Sequence, residues 1–220
     1  NYTTLYMLGP SAIADDFVNL VGTSRFEGLT GNQVGAGLGR YGTTYGLINQ
    51  ANLIIGGVDE ATANEISDFE RYQGEAYFFR AFAMHNAVRA YGYEPGATPT
   101  AGEGSGFDLG IIVRTNPTLG VTDADLKTRS TVSAVYDQIE DDLTQAISLL
   151  DNSGSVNFVS QAAASALMSR VKLYRRSYGD ADSFAGDAIT NSGARMATTS
   201  EVSTMVDEIC PRSSHMLMNP

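Results

Sequence analysis

The sequence is poor in the residues that most often build disulfide frameworks, metal sites and nucleophilic active sites. Its 220 residues include one cysteine, two histidines and no tryptophan. A single thiol, Cys210, excludes an internal disulfide and any zinc site built from several cysteines. No zinc-type spacing of His and carboxylate residues surrounds His85. We therefore expect no metal site and no cofactor, and we expect His85 to serve in packing or hydrogen bonding.

Positive charge is also scarce. Lys and Arg total 14 against 25 Asp and Glu, which gives a formal net charge of -11. That charge repels phosphate backbones and no Lys/Arg cluster offsets it, so nucleic acid is not expected as a partner. No apolar run approaches the roughly 20 residues that a membrane-spanning helix needs. No signal peptide is visible, and a start at Asn1 rather than Met suggests processing or truncation.

Motifs of the common enzyme classes are missing or incomplete. The sequence has no GxSxG, and the GAGLG at 35–39 lacks the preceding strand of a phosphate-binding loop. Asp180 and Asp182 have partial calcium-loop spacing, but Phe184 occupies the next ligand position, so we expect Asp180 to cap a helix. One catalytic hypothesis stays open, an all-helical glycosidase that uses Glu75 as an acid.

Helical periodicity dominates the rest of the chain. The pattern predicts helices over 11–22, 45–56, 64–91, 131–151 and 160–177, followed by a further helix in DADSFAGDAIT. Ser130 or Thr131 is suited to cap the fourth helix, and Ser160 the fifth. Gly-rich segments 22–46 and 93–128 are predicted to be long loops, with GIIVR as the one strand-like piece. Antiparallel helix pairs of this size are typical of tetratricopeptide-type proteins.

The segment 72–92 places Glu75 and Arg80 among aromatic residues of the predicted third helix. Charged groups inside an apolar helix are costly unless they are paired or hydrogen-bonded. We expect both side chains to be at least partly buried and hydrogen-bonded to adjacent helices or loops. This structural interpretation is favoured over catalysis.

Five segments of the chain form an ordered set: TTYGLINQANLIIGGV, YQGEAYFFRAFAMHNAVRAYG, FDLGIIVR, RSTVSAVYDQIEDDLTQAISLL and SQAAASALMSRVKLYRRSYGDA, which together reach from residue 45 to about residue 190. In this order they resemble the SusD/RagB family of starch-utilisation-type outer-membrane lipoproteins. The resemblance rests on signature residues that include Tyr45, Asn52, Gly74, Glu75, Arg80, Tyr91, Gly92, Arg129, Tyr136, Asp142 and Arg170. Two prolines usual in the family, after Tyr91-Gly92 and within the Leu-Gly-Ile strand, are not in place.

The resemblance implies an all-α fold of tetratricopeptide-like helix pairs with long irregular loops. It implies one SusD-like helical domain over 1–220 that is incomplete, because the lipidated N-terminal cysteine and the C-terminal half of the family are not in this chain. The family implies a nutrient-binding subunit on the extracellular face of the outer membrane, lipid-anchored in the full-length protein. Its implied partner is a TonB-dependent transporter of the SusC/RagA type, and catalysis is not expected.

Ligands in such proteins are glycans or, in some members, peptides, and the contacts come from variable loops. We therefore expect ligand contacts in the loop before the helix that carries Asn52, at Arg25, Phe26, Asn32, Arg40 and Tyr41. The absence of Trp weakens a glycan-stacking platform, although eleven Tyr are available, so peptide ligands stay open. The alternatives are a tetratricopeptide-type protein–protein scaffold without a small ligand and the glycosidase that uses Glu75.

Overall fold

The computed structural model describes residues 41–102, 104–120, 122–152, 157–195 and 197–202. In this part of the chain the fold is all-α, as predicted. Six α-helices follow in chain order: α1 (Tyr41–Gly56), α2 (Glu60–Glu65), α3 (Phe69–Tyr91), α4 (Val132–Leu149), α5 (Gln161–Tyr174) and α6 (Tyr178–Asn191). One 3₁₀ turn, Asp123–Asp125, interrupts the long loop before α4. The predicted helix 11–22 and most of the predicted loop 22–46 lie outside the described residues.

Helix α1 begins earlier than the sequence predicts, so residues 41–46 are helical and not loop. The Tyr41 ring packs on Tyr45 with centroids 4.6 Å apart and against the edge of Tyr91 at 5.1 Å. These contacts extend the helix through Gly42 and Gly46, although glycine has a low helix propensity. Tertiary packing overrides weak local preference here.

The predicted helix 64–91 is in fact two helices. Asp59 caps α2 by accepting a hydrogen bond from the Thr62 amide at 2.9 Å, so that helix also starts earlier than predicted. The chain then breaks at residues 66–68, where Asp68 adopts a left-handed conformation with φ of 60°. Asp tolerates this region better than most residues. α3 begins directly after this turn.

The second half of the fold follows the predicted caps more closely. Thr131 accepts from the Ala134 amide and Ser160 from the Ala163 amide, both at 3.2 Å. Asp180 is not a helix cap, contrary to the prediction. The residue at the cap of α6 is Ser177, whose hydroxyl donates to the Asp180 carboxylate at 2.8 Å within the first turn.

The helices pack as a series in which each contacts its neighbours. α3 lies between α1 and α4, α5 packs on α4, and α6 packs on α5. The side chains that fill the main core are largely aliphatic, with one buried tyrosine: Ile48, Met84, Val88, Ile111, Val135, Tyr136, Ile139, Leu143, Met168 and Val171. α3 meets the end of α4 closely at Gly74, where a Cβ would lie 2.9 Å from Leu150 Cγ. This contact accounts for glycine at that position.

His85 is a packing residue, as predicted. Its ring lies edge-on to Tyr136 and Tyr174, with centroids 5.8 and 5.1 Å away, and only 1% of the residue is exposed. Nε2 has no hydrogen-bond partner among the described residues. Burial, together with the positive charges of Arg89 and Arg170, lowers the pKa of His85 to about 4.

This depressed pKa predicts a stability that depends on pH. Between pH ~6.5 and ~4, His85 binds a proton in the unfolded chain, where its pKa is about 6.5, and stays neutral in the folded chain. The contribution of neutral His85 to the free energy of unfolding is therefore complete above pH ~6.5. It is lost as the pH falls toward ~4, where the free energy of unfolding is lower by up to about 3 kcal/mol. Urea unfolding of His85→Phe across this range should show a shallower pH dependence than wild type. Equal slopes in the two proteins would contradict the prediction.

Candidate functional site

The most buried polar contact in the described chain joins α3 to α4. Arg80 donates from Nε and Nη2 to the two carboxylate oxygens of Asp142, at 2.8 and 2.6 Å. Both side chains are almost fully enclosed, with 4% and 1% exposed. Gln138 also donates to Asp142, at 2.9 Å. Burial raises the pKa of the Asp142 carboxyl, and the hydrogen bonds from Arg80 and Gln138 oppose that shift.

The other edge of Arg80 extends this network to α1 and to the long loop. Nη1 donates to Asn52 Oδ1 at 2.7 Å and to the Thr115 carbonyl at 3.3 Å. The Asn52 amide then donates to the carbonyls of Arg114 and Asn116, at 3.2 and 3.0 Å. Signature residues from α1, α3 and α4 thus meet at one buried point that fixes residues 114–116. The network gives hydrogen-bond partners to three carbonyls of this partly buried loop.

Further side chains hold the same loop on either side of this point. Asn49 donates to the Thr118 carbonyl at 3.0 Å and accepts from the Thr118 amide at 2.7 Å. Tyr45 donates to the Ile112 carbonyl at 2.7 Å. Arg129 donates to the Gly110 carbonyl at 2.7 Å and the Tyr91 carbonyl at 2.6 Å. Backbone hydrogen bonds of Gly110 and Ile111 with Ser130 also hold the strand-like segment, whose one described bridge, Leu109 with Thr131, is isolated.

Three further signature residues lie outside this polar network. Gly92 follows α3 and donates its amide to the Val88 carbonyl at 2.9 Å. Tyr136 is fully buried in the core, while Arg170 is exposed on α5. None of these three lines a described cleft.

Glu75 is partly buried, as predicted, but its hydrogen-bond partner differs from the prediction. Its carboxylate accepts from Arg71 of the same helix at 2.8 Å and, within the described residues, does not bond to an adjacent helix or loop. The pair is partly open to solvent, with 29% of the Arg71 side chain and 17% of the Glu75 side chain exposed. The groove that Glu75 lines contains no second carboxylate among the described residues. It therefore does not offer the pair of acids that glycoside hydrolysis requires.

A cleft lies between α1 and the loop that the network holds. It has a volume of about 460 Å³, and its walls are formed by Tyr41, Gly42, Tyr45, Gly46, Ile48, Asn49, Asn52, Ile112, Arg114 and Thr118. Tyr41 donates to the Tyr45 hydroxyl at 3.1 Å, and burial raises the pKa of Tyr45. Arg114 is held by Asp125, whose backbone carbonyl it contacts as a donor. Rings and hydrogen-bonding groups therefore converge on one opening.

Of the five predicted ligand contacts, the structure describes only Tyr41, and Tyr41 lines this cleft. Arg25, Phe26, Asn32 and Arg40 lie outside the described residues. Sequence reasoning missed Asn49, Arg114 and Thr118 as cleft residues. The one sequence signal for Asn49 is its position three residues before the signature residue Asn52, because residues three apart lie on the same face of a helix. Nothing in the sequence places Arg114 beside α1.

The described residues include no group of three or more His, Cys, Asp or Glu that could hold a metal ion. Of the described helices, none combines the length and apolarity needed to cross a membrane.

Comparison with known families adds an observation independent of this geometry. The model of the SusD-like group described as "Starch-binding associating with outer membrane" matches residues 31–173, which is more than half of the chain. The chain belongs to the SusD-like family. The resemblance drawn from the five sequence segments is thereby confirmed, and the matched region contains the whole Asn52, Arg80 and Asp142 network.

Solved structures agree with this SusD-like assignment. A SusD superfamily protein from Bacteroides thetaiotaomicron VPI-5482 is 30% identical with a TM-score of 0.58, over 76% of this chain and 35% of that chain. A protein of Bacteroides vulgatus ATCC 8482 described as sugar binding is 27% identical with a TM-score of 0.54, over 70% and 33%. A SusD-like carbohydrate binding protein of the same organism shares the fold at 22% identity, with a TM-score of 0.61, over 81% and 38%.

This SusD-like chain thus spans about a third of the length of those structures. Among curated proteins, none matches it.

Proposed function

We propose that this chain is part of a cell-surface nutrient-binding protein that captures glycans or peptides. It delivers them to a SusC/RagA-like TonB-dependent transporter in the outer membrane. The observation that carries the proposal is the family match over residues 31–173, whose description joins starch binding to the outer membrane. The 27% identical relative described as sugar binding supports the same ligand class. The proposal includes a lipid anchor that attaches the full-length protein to the outer membrane.

Binding without catalysis is consistent with the chemistry of the described residues. Glu75 forms an ion pair with Arg71 at 2.8 Å, and no second acid among the described residues lines its groove. Asp142 is enclosed and engaged by Arg80, so it has no access to a substrate. An enclosed, paired carboxylate such as Asp142 holds a scaffold and does not transfer protons to a ligand.

We place the ligand at the cleft beside Tyr41, with Arg25, Phe26, Asn32 and Arg40 as the contacts that precede it. The cleft volume of about 460 Å³ lies in the range of small-ligand sites. A tyrosine ring offers a face to sugar CH groups or to apolar peptide side chains, and arginine offers paired donors to hydroxyls or carbonyls. The network behind the loop keeps this wall in place, which lowers the entropy lost on binding.

Calorimetric titration of the intact protein with panels of oligosaccharides and peptides tests this function. We expect saturable binding of at least one class, without release of any hydrolysis product. Co-purification with a TonB-dependent transporter from detergent-solubilised outer membranes tests the delivery step. Failure to bind any member of either panel would contradict nutrient capture, and a purely protein partner would then favour the scaffold alternative.

A further inference from the structure

A second concave surface lies on the side of α1 away from the cleft. This α1–α3 groove has small residues at its floor, Ala51 and Ala76, and a volume of about 350 Å³. Leu47 and Ile54 of α1 form one wall, and Tyr72 and Phe79 of α3 form the other. The residues of α1 that line the groove are different from those that line the cleft. The two surfaces can therefore be tested separately.

The large apolar side chains of the α1–α3 groove are open to solvent. Leu47, Ile54, Ile66, Tyr72 and Phe79 are each between 38% and 41% exposed. Scattered exposed hydrophobic residues are ordinary, but five that border one groove form a continuous patch. A patch of this kind is typical of a protein interaction site.

The geometry of the α1–α3 groove suits a helix. Gln73 donates to the Ile55 carbonyl at 3.2 Å and Arg80 to Asn52 at 2.7 Å, so α1 and α3 run antiparallel. Each wall has two large residues seven positions apart, which is two helical turns or roughly 10 Å. Small floor residues between two such ridges leave room for the apolar ridge of a third helix.

Charge at one end of the α1–α3 groove defines the partner further. The chain from Asp59 to Glu75 closes that end, and it contains six acidic residues and one basic residue: Asp59, Glu60, Glu65, Asp68, Glu70, Glu75 and Arg71. Glu65, Asp68 and Glu70 are exposed, and Arg71 is already paired with Glu75. An apolar groove with an acidic end is complementary to a segment that is apolar along one face and basic at one end.

We propose that the α1–α3 groove docks an amphipathic helix of a partner protein, with apolar residues at i, i+4 and i+7 and Lys or Arg at the end nearest α2. The apolar face fills the space above Ala51 and Ala76 between the two walls. The basic residues lie against the acidic turn. This docking is independent of the nutrient site and does not require the proposed function to be correct.

A designed peptide tests the docking directly. The probe is a fluorescein-labelled helical peptide of about 15 residues, long enough for three apolar positions on one face, with Lys at one end. A matched peptide has Glu in place of Lys. Anisotropy titrations should show the Lys peptide binding roughly tenfold more tightly than the Glu peptide. The preference should reverse in a Glu65→Lys, Asp68→Lys, Glu70→Lys variant.

Groove variants localise the binding of the Lys peptide. Tyr72→Ser and Phe79→Ser should each weaken it by roughly tenfold, the usual loss when a central aromatic contact is removed. Ile189→Ser on α6, where the side chain is 73% exposed and distant in sequence, is the matched control and should bind as wild type. Equal binding by all three variants, or equal affinity of the two peptides, would overturn the proposal. Dimers that Phe79→Ser dissociates, or displacement of the peptide by glycans, would also overturn it by assigning another occupant.

Discussion

Replacing Arg80 with Ala is expected to lower the free energy of unfolding by about 3–5 kcal/mol, the usual cost of removing one partner of a buried ion pair. The variant leaves Asp142 enclosed without its guanidinium and removes a donor from Asn52 and from the Thr115 carbonyl. The Gln138 amide alone cannot replace the charge of Arg80. Urea unfolding followed by circular dichroism at pH 7 measures the loss.

Arg71→Ala is the matched control, since Arg71 lies in the same helix and also pairs with a carboxylate. Its pair with Glu75 is partly solvated, so the loss should stay within about 1 kcal/mol. The double variant Arg80→Met, Asp142→Leu removes both charges together and should recover part of the stability lost in Arg80→Ala. If Arg80→Ala costs no more than Arg71→Ala, the buried pair is not the centre of the scaffold.

The second large effect is expected at Asn52. Asn52→Ala removes donors to two loop carbonyls and an acceptor for Arg80, in a residue that is 1% exposed. Each buried polar group left without a partner costs about 1–3 kcal/mol, so a total loss of about 3–5 kcal/mol is expected. Amide exchange should also accelerate in residues 111–118, because the loop loses its central attachment.

Two comparisons sharpen the Asn52 prediction. Gln145→Ala changes an exposed amide on α4 and should leave both stability and exchange in the loop close to wild type. Asn52→Asp retains an acceptor for Arg80 but donates to neither carbonyl, so it should release the loop as Asn52→Ala does. Unchanged exchange over residues 111–118 in both Asn52 variants would show that the loop is held elsewhere.

Local pattern predicted the helices well where their boundaries depend on nearby residues. The caps at Thr131 and Ser160 are of this kind, because a hydroxyl needs only an amide three positions further on. The break before α3 was missed since apolar residues continue on both sides of Asp68 and the left-handed turn leaves no periodic signal. The early start of α1 was missed because it depends on Tyr91, far along the chain.

Long-range partners explain the errors at the site as well. A buried role for Arg80 was predictable from its apolar surroundings, but its partner lies 62 residues away. Asp142 lies on the apolar stripe of α4, and a carboxylate at such a position indicates a buried ion pair. The sequence does not indicate which cation is its partner. Glu75 was expected to bond to another element, yet Arg71 one turn earlier is its partner. The contact of Asn49 with Thr118 joins residues 69 apart and has no local signature.

The central claim is that the polar signature holds the scaffold while the ligand binds beside Tyr41. Calorimetric titration of Tyr41→Ala with the best ligand of the wild-type protein tests it most directly, with Tyr178→Ala, 63% exposed on α6, as the matched control. We predict that Tyr41→Ala still unfolds cooperatively but loses about tenfold or more in affinity, while Tyr178→Ala and Glu75→Gln bind as wild type. Wild-type affinity in Tyr41→Ala, or loss of binding in Glu75→Gln at an unchanged melting temperature, would contradict the claim.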